Sequence, residues 1–431
     1  MDLTGALVLV IIFVILLLLR VPIAFSIGIS TLATILVSVE SLAALTTVAQ
    51  RMTTGLDSFT LLAIPFFILA GQIMNRGGIA QRLINLAKVL VGMLPGGLAY
   101  VNIISAMLFG AISGSAVAAA SAIGGVMTPQ MDKEGYDREY SAAVNITSST
   151  MGLLIPPSNV LIVYSLASGG LSIAALFLAG YLPGILVGLG LMVVGGVIAI
   201  RRKYKTGERV PLKEAALRFL DAIPSLFLII LVIGGIIAGI FTATEAAAIA
   251  VLYAFILAFA YKEMKIADIS QVLFESAKTT AIVMLLIGTS IAMSWILSYE
   301  NIPQALTAAI IESFDSPIAV LLIINLILLF VGAFMDITPA ILIFTPIFLP
   351  IAIELGIDPI HFGIIMVFNL IVGLCTPPVG TILFVGCSVA EVPITKVIRP
   401  LLPLFAVMIV CLALVTFIPE ISLFLPEFFG Y

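Results

Sequence analysis

GLLIPPSN at residues 152–159 and GLCTPPVG at residues 373–380 each set a Pro-Pro pair inside a long apolar segment, 221 residues apart. Proline lacks the N–H that a helix needs and disfavours α geometry in the residue before it. Each pair therefore breaks a helix in the middle of apolar sequence. Carbonyls one turn earlier, near Gly152 and Leu153, are predicted to lose their partners. Non-helical backbone at membrane depth is tolerated only where it lines a cavity or is covered by protein.

The composition makes that setting a membrane. Of 431 residues, 62% are hydrophobic and 10% charged, and the mean hydropathy is +1.29. Apolar runs of membrane-spanning length recur along the whole chain, and alternating strand-like patterns of a β-barrel do not. No basic tract suits nucleic acid. The opening MDLTGALVLVIIFVILLLLR has Asp2 where a signal peptide carries positive charge, and reads as a first span. Cys375, Cys387 and Cys411 lie in apolar segments without metal-ligand spacing.

Full spans are expected near 3–20, 22–38, 57–75, 142–169 and 172–200, then near 222–239, 241–261, 278–298, 361–389 and 398–424. Between the third and fourth span of each set lies an apolar segment with a polar midpoint. These are 96–130, around SGS (113–115), and 317–354, around MDITP (335–339). Both are predicted to be re-entrant hairpins. With the basic loop RRKYKTGERVPLK (201–213) in the cytoplasm, 18 of the 19 Lys and Arg residues fall inside and only Arg51 falls outside. Both termini are then periplasmic.

The halves echo one another in order. GGIAQRL (77–83) matches ENIPQAL (300–306) at an offset of 223, FGAISGS (109–115) matches VGAFMDI (331–337) at 222, and IPPSN (155–159) matches TPPVG (376–380) at 221. Five spans per half put the second copy in the membrane upside down, as in many secondary transporters. The fold expected is an all-α polytopic membrane protein, an inverted-topology repeat with two re-entrant helical hairpins and two broken helices. Hairpin tips from opposite faces meet the breaks near the midplane. There, half-helix N-termini carry partial positive charge and freed carbonyls suit hard cations.

Four elements carry candidate chemistry. The first tip offers Ser113 and Ser115 around a glycine, a pattern that also serves ordinary helix packing. The first broken helix offers Ser148, Gly152, Pro156 and Asn159, with a plain proline kink as the alternative. The second tip offers Gly332, Asp336 and Thr338. Asp336 is the one carboxylate placed near the midplane, which is functional unless it merely bonds its own hairpin backbone. The second broken helix offers Gly373, Thr376 and Thr381. As oxygen-only cages, Ser113, Ser115, Ser148, Gly152 and Pro156 form one candidate Na+ site, and Gly332, Asp336, Thr338, Gly373 and Thr376 a second. Ser113, Ser115, Asn159, Asp336, Thr338 and Thr381 are the candidate substrate contacts. His361 and Trp295 are expected at the outer boundary. No acid pair, zinc motif or Ser/His pair at depth suggests an enzyme.

FGAISGSAVAAASAIGGVMTPQM, MGLLIPPSN, GAFMDITPAILIFTPIFLPI and GLCTPPVGT together resemble the large membrane subunit of a TRAP (tripartite ATP-independent periplasmic) transporter, of the DctM and SiaM kind. The resemblance spans essentially the whole chain, and extends to members that carry the sialic acid N-acetylneuraminate. It implies an elevator-type ion transporter fold in the bacterial inner membrane. It also implies uptake of an organic acid, sialic acid ahead of a C4-dicarboxylate, coupled to at least two Na+. The implied partners are a small four-helix membrane subunit as a separate chain, a soluble periplasmic binding protein, and membrane lipid. Residues 1–56 and 201–262, with the amphipathic segments 76–92 and 300–315, would form a static scaffold. Residues 57–200 and 263–431 are the two repeat arms that carry the hairpins (96–130, 317–354) and broken helices (142–169, 361–389). An antiporter, or an anion symporter independent of a binding protein, is the alternative on the same architecture.

Overall fold

The computed structural model describes residues 4–205, 207, 210–313, 316–377 and 380–431. Pro378 and Val379 of the second Pro-Pro motif, and Arg209 of the basic loop, lie outside the described residues. Twenty α-helices follow one another, with no strand among the described residues. The first half runs α1 (Thr4–Leu18), α2 (Ile23–Ser38), α3 (Ser41–Leu56), α4 (Ala63–Arg76), α5 (Ile79–Val91), α6 (Gly97–Ser113), α7 (Ala116–Lys133), α8 (Arg138–Met151), α9 (Asn159–Ala167) and α10 (Ile173–Arg201). The second runs α11 (Leu212–Ile237), α12 (Ala243–Ala260), α13 (Ile266–Tyr299), α14 (Ile302–Ser313), α15 (Pro317–Phe334), α16 (Ile337–Glu354), α17 (Pro359–Gly373), α18 (Thr381–Ala390), α19 (Ile394–Phe417) and α20 (Glu420–Phe428).

Among the described residues, eight helices are long and apolar enough to cross a membrane. Leu18, Leu212, Leu326 and Phe330 stand exposed on helix flanks. Such a surface belongs against lipid tails, because a soluble chain would bury it.

Both expected hairpins are present, α6–α7 turning at Gly114 and Ser115, and α15–α16 turning at Met335 and Asp336. Both expected breaks are present too, between α8 and α9 and between α17 and α18. The repeat is visible in element ends: α4 and α13 end 223 residues apart, and α5 and α14 begin 223 apart. One difference separates the halves. α3 and α4 are distinct helices, interrupted at Asp57 and Ser58, whereas α13 runs unbroken for 34 residues. At the matching positions α13 has Thr280 and Ala281, and alanine does not compete for the backbone as Ser58 does.

Contacts between helix ends pair like with like. Arg76 meets Gln271 at 3.2 Å, Arg82 meets Asp221 at 3.3 Å, and Arg138 meets Glu391 at 3.8 Å, all among residues predicted on one face. Ser38 meets Glu300 at 2.5 Å, Thr244 Oγ1 meets the Phe59 carbonyl at 3.1 Å, and the Tyr164 hydroxyl meets the Pro359 carbonyl at 2.8 Å, all among residues predicted on the other.

The centre of the molecule is built on α8 and α17. α8 is buried from Tyr140 to Met151 although it carries five polar residues in its last two turns. Burial is tolerated because these groups are paired. Thr147, Ser148 and Thr150 donate to carbonyls of their own helix at 2.7–2.9 Å, and Asn145 Nδ2 donates to the Ala120 carbonyl of α7 at 2.9 Å.

Candidate functional site

Each hairpin meets its broken helix through a pair of glycines. A methyl added to Gly110 of α6 would sit 2.6 Å from Gly152 Cα, and one added to Gly373 would sit 2.5 Å from Gly332 Cα. The backbones therefore touch directly, as only residues without a Cβ allow. The two contacts are repeat-related, so Gly152, Gly332 and Gly373 of the expected ion sites serve first as close-packing points.

The first tip is closed by local chemistry. Gly114 adopts φ +61°, and its N–H donates to the Gly110 carbonyl at 2.8 Å, the left-handed stop that glycine favours. Ser115 then caps α7, its Oγ accepting from the Ala118 N–H at 3.2 Å. Ser113 Oγ donates to the Ser115 carbonyl at 3.4 Å. The second tip differs. Asp336 stands at the cap position of α16 without a side-chain capping hydrogen bond.

Both tips open onto one cavity of about 230 Å³. Ser113, Ser115, Asn159, Asp336 and Thr338 line it, so five of the six expected substrate contacts come together; Thr381 does not line it, although its neighbour Ile382 does. The N-termini of α7, α9, α16 and α18 all reach this cavity through lining residues. Unpaired N–H groups and helix dipoles there favour an anion. Among the described residues, Asp336 is the only charged side chain in the lining. Asn159 Oδ1 is buried without a hydrogen-bond partner among the described residues.

Ser148, Pro156 and Gly152 lie buried behind the cavity wall, and Thr376 Oγ1 donates to the Val372 carbonyl at 3.0 Å. The Leu153 carbonyl, expected to be free, accepts from Ser158 Oγ at 2.5 Å, because the turn after the break brings that hydroxyl back over it. The Gly373 carbonyl likewise accepts the Thr376 N–H at 2.8 Å. The Pro156–Pro157 peptide is cis.

Four residues add to the expected picture. His361 stands at the start of α17, the helix end expected for it, and is 2% exposed; α20 folds over it and Ser422 Oγ lies 3.1 Å from its Nδ1. Gln72 and Asn75 of α4 and Thr279 of α13 line the cavity but sit near span ends, where polar residues read as boundary positions. A buried polar chain also ties the second hairpin to its surroundings. Asn369 Nδ2 of α17 donates to Asn325 Oδ1 of α15 at 2.5 Å, and Asn325 Nδ2 donates to Thr416 Oγ1 of α19 at 3.2 Å.

The family model "Tripartite ATP-independent periplasmic transporter, DctM component" matches residues 10–421. The chain belongs to the DctM family of TRAP transporter large permeases. It is a transport subunit and not an enzyme. This permease is 58% identical over 97% of its length to the uncharacterized protein YgiK of Salmonella typhimurium, covering 96% of that protein. It is 43% identical, over 94% of both chains, to the C4-dicarboxylate TRAP transporter large permease protein DctM of Pseudomonas aeruginosa. It is 40% identical to the sialic acid TRAP transporter large permease protein SiaM of Vibrio cholerae, over 89% of this chain and 90% of that one. Among solved structures, the YdaH transporter of Alcanivorax borkumensis superposes with a TM-score of 0.63 at 15% identity, covering 88% of both chains. That likeness places the permease in the same fold.

Proposed function

We propose that the permease carries an organic acid across the bacterial inner membrane by Na+-coupled secondary transport, with the substrate handed over by a periplasmic binding protein. The observation that supports this reading is the single cavity where both hairpin tips and four helix N-termini converge without a lysine or arginine. An acid held there draws on helix dipoles, hydroxyls and bound cations for positive potential. Ser113, Ser115, Asp336 and Thr338 supply the oxygen donors that hard cations take, and Ser148, Gly152, Pro156, Gly332, Gly373 and Thr376 shape the turns behind them. At least two Na+ accompany each acid.

The face bearing Arg76, Arg82, Arg138 and Arg202 is cytoplasmic, following the distribution of positive charge, and both termini are periplasmic. A small four-helix membrane subunit holds the static helices, and the hairpins and broken helices move against them as an elevator. Sialic acid stands ahead of a C4-dicarboxylate as cargo; relatives at 40% and 43% identity carry both names, so overall identity does not rank the two. The test is uptake of labelled acids into proteoliposomes containing the complete complex. An inward Na+ gradient should drive accumulation. Accumulation that persists with choline in place of Na+, and without a pH gradient, would rule out the coupling.

A further inference from the structure

The cavity has a wall that neither hairpin supplies. Gln72 and Asn75 of α4 and Thr279 of α13 face the tips across it. Thr279 Oγ1 donates to the Glu275 carbonyl at 3.0 Å, so its hydrogen is already committed. Neither Gln72 nor Asn75 has a side-chain partner among the described residues, and Asn75 is exposed to the cavity side. Together with the unpartnered Asn159 Oδ1, three carboxamides therefore surround one small space with unspent donors and acceptors.

Packing does not dictate these residues. α4 and α13 are repeat-related at an offset of 223, and the positions matching Gln72 and Asn75 are Trp295 and Ser298. The fold tolerates an indole and a small hydroxyl there, so the carboxamides are a choice made on one side only. We infer that Gln72 and Asn75 are specificity-determining residues that read the hydroxyl or amide groups of a hydroxylated monocarboxylic acid.

This rests on the transport reading above and deepens it. Asp336 is the one charged lining side chain among the described residues, with no lysine or arginine beside it to pair a second carboxylate of the cargo. A dicarboxylate therefore needs one more cation in the site than a monocarboxylate does, or its second charge stays unpaired, which is costly. A site built from hydrogen-bonding groups also rejects analogues that lack the matching hydroxyls more strongly than it rejects a small change in apolar size.

The test uses the complete complex in proteoliposomes, with one binding protein throughout so that a changed preference belongs to the permease. Uptake of labelled N-acetylneuraminate, gluconate and succinate is compared in wild type, Gln72→Leu, Asn75→Leu and Gln72→Glu. Wild type sets the reference preference for that binding protein. Each leucine variant should raise KM for the hydroxylated monocarboxylates about tenfold, as loss of one hydrogen bond predicts, with little change for succinate. Gln72→Glu should raise it further, since its carboxylate repels the cargo. Asn75 is exposed, so Asn75→Leu tests the idea without a folding defect. A preference unchanged from wild type in both leucine variants overturns the inference. Uptake indifferent to Na+ would instead overturn the coupling and leave the leucine comparison to decide this one.

Discussion

Replacing Gly152 or Gly373 by alanine tests the repeat at the atoms that hold it together. A methyl on Gly152 would collide with Gly110 Cα, and one on Gly373 would lie 2.5 Å from Gly332 Cα and 2.9 Å from Ala333 N. Carbon atoms in ordinary contact sit about 3.5–4.0 Å apart, so each hairpin must withdraw from its broken helix by roughly 1 Å. The colliding atoms are backbone, and no side chain can rotate away. Overpacking of this kind costs about 1–3 kcal/mol even where side chains can adjust. Both variants should melt at lower temperature in detergent and lose most acid uptake, because the shift moves Ser113 or Asp336 in the cavity. Gly125→Ala is the control: its methyl meets nothing within 4 Å, and alanine gains up to about 1 kcal/mol in helix propensity. A Gly152→Ala or Gly373→Ala protein that melts and transports like wild type would refute the reasoning.

Three further outcomes follow from particular contacts. Asn325→Leu should lower stability by about 0.5–1.5 kcal/mol, because it removes the hydrogen bonds to Asn369 and Thr416 while each of these still donates to a carbonyl of its own helix; thermal melting with and without the Asn369→Leu background checks it. Ser115→Ala and Thr376→Ala should shift the Na+ activation curve of uptake to higher concentration, and unchanged curves in both would move the ion ligands elsewhere. Lys88 on α5 has its pKa held below 10.5, first by burial and then by nearby Arg218, with Glu134 opposing. The unfolded chain therefore binds this proton more readily, and stability rises as pH climbs through the folded pKa toward 10.5. Lys88→Met should flatten that rise in the melting temperature relative to wild type.

The sequence made the hairpins and breaks legible because prolines, glycines and charges are local signals. Pro156 and Pro157 break α8 from α9 wherever the chain packs, and the Lys and Arg distribution sorts the helix ends before any contact is known. What it left hidden depends on tertiary packing. The segment 41–56 falls outside the expected spans because its threonines and Arg51 spoil an apolar pattern, yet it forms α3 against α13. The span placed at 278–298 continues back to Ile266, since a helix does not stop where the hydrocarbon does. The span placed at 398–424 is interrupted near Pro419, and the returning α20 is what buries His361. In the site, hydroxyls beside glycine marked the tips. The partner of the Leu153 carbonyl and the wall formed by Gln72 and Asn75 emerge only when the turn and the neighbouring helices are in place.

Simultaneous measurement of labelled Na+ and labelled acid entering the same proteoliposomes tests the central claim most directly. The convergence of two repeat-related hairpins on one cavity with a single carboxylate predicts at least two Na+ for each acid, with both fluxes falling together in Asp336→Asn. Acid that enters with no accompanying Na+ would contradict the account.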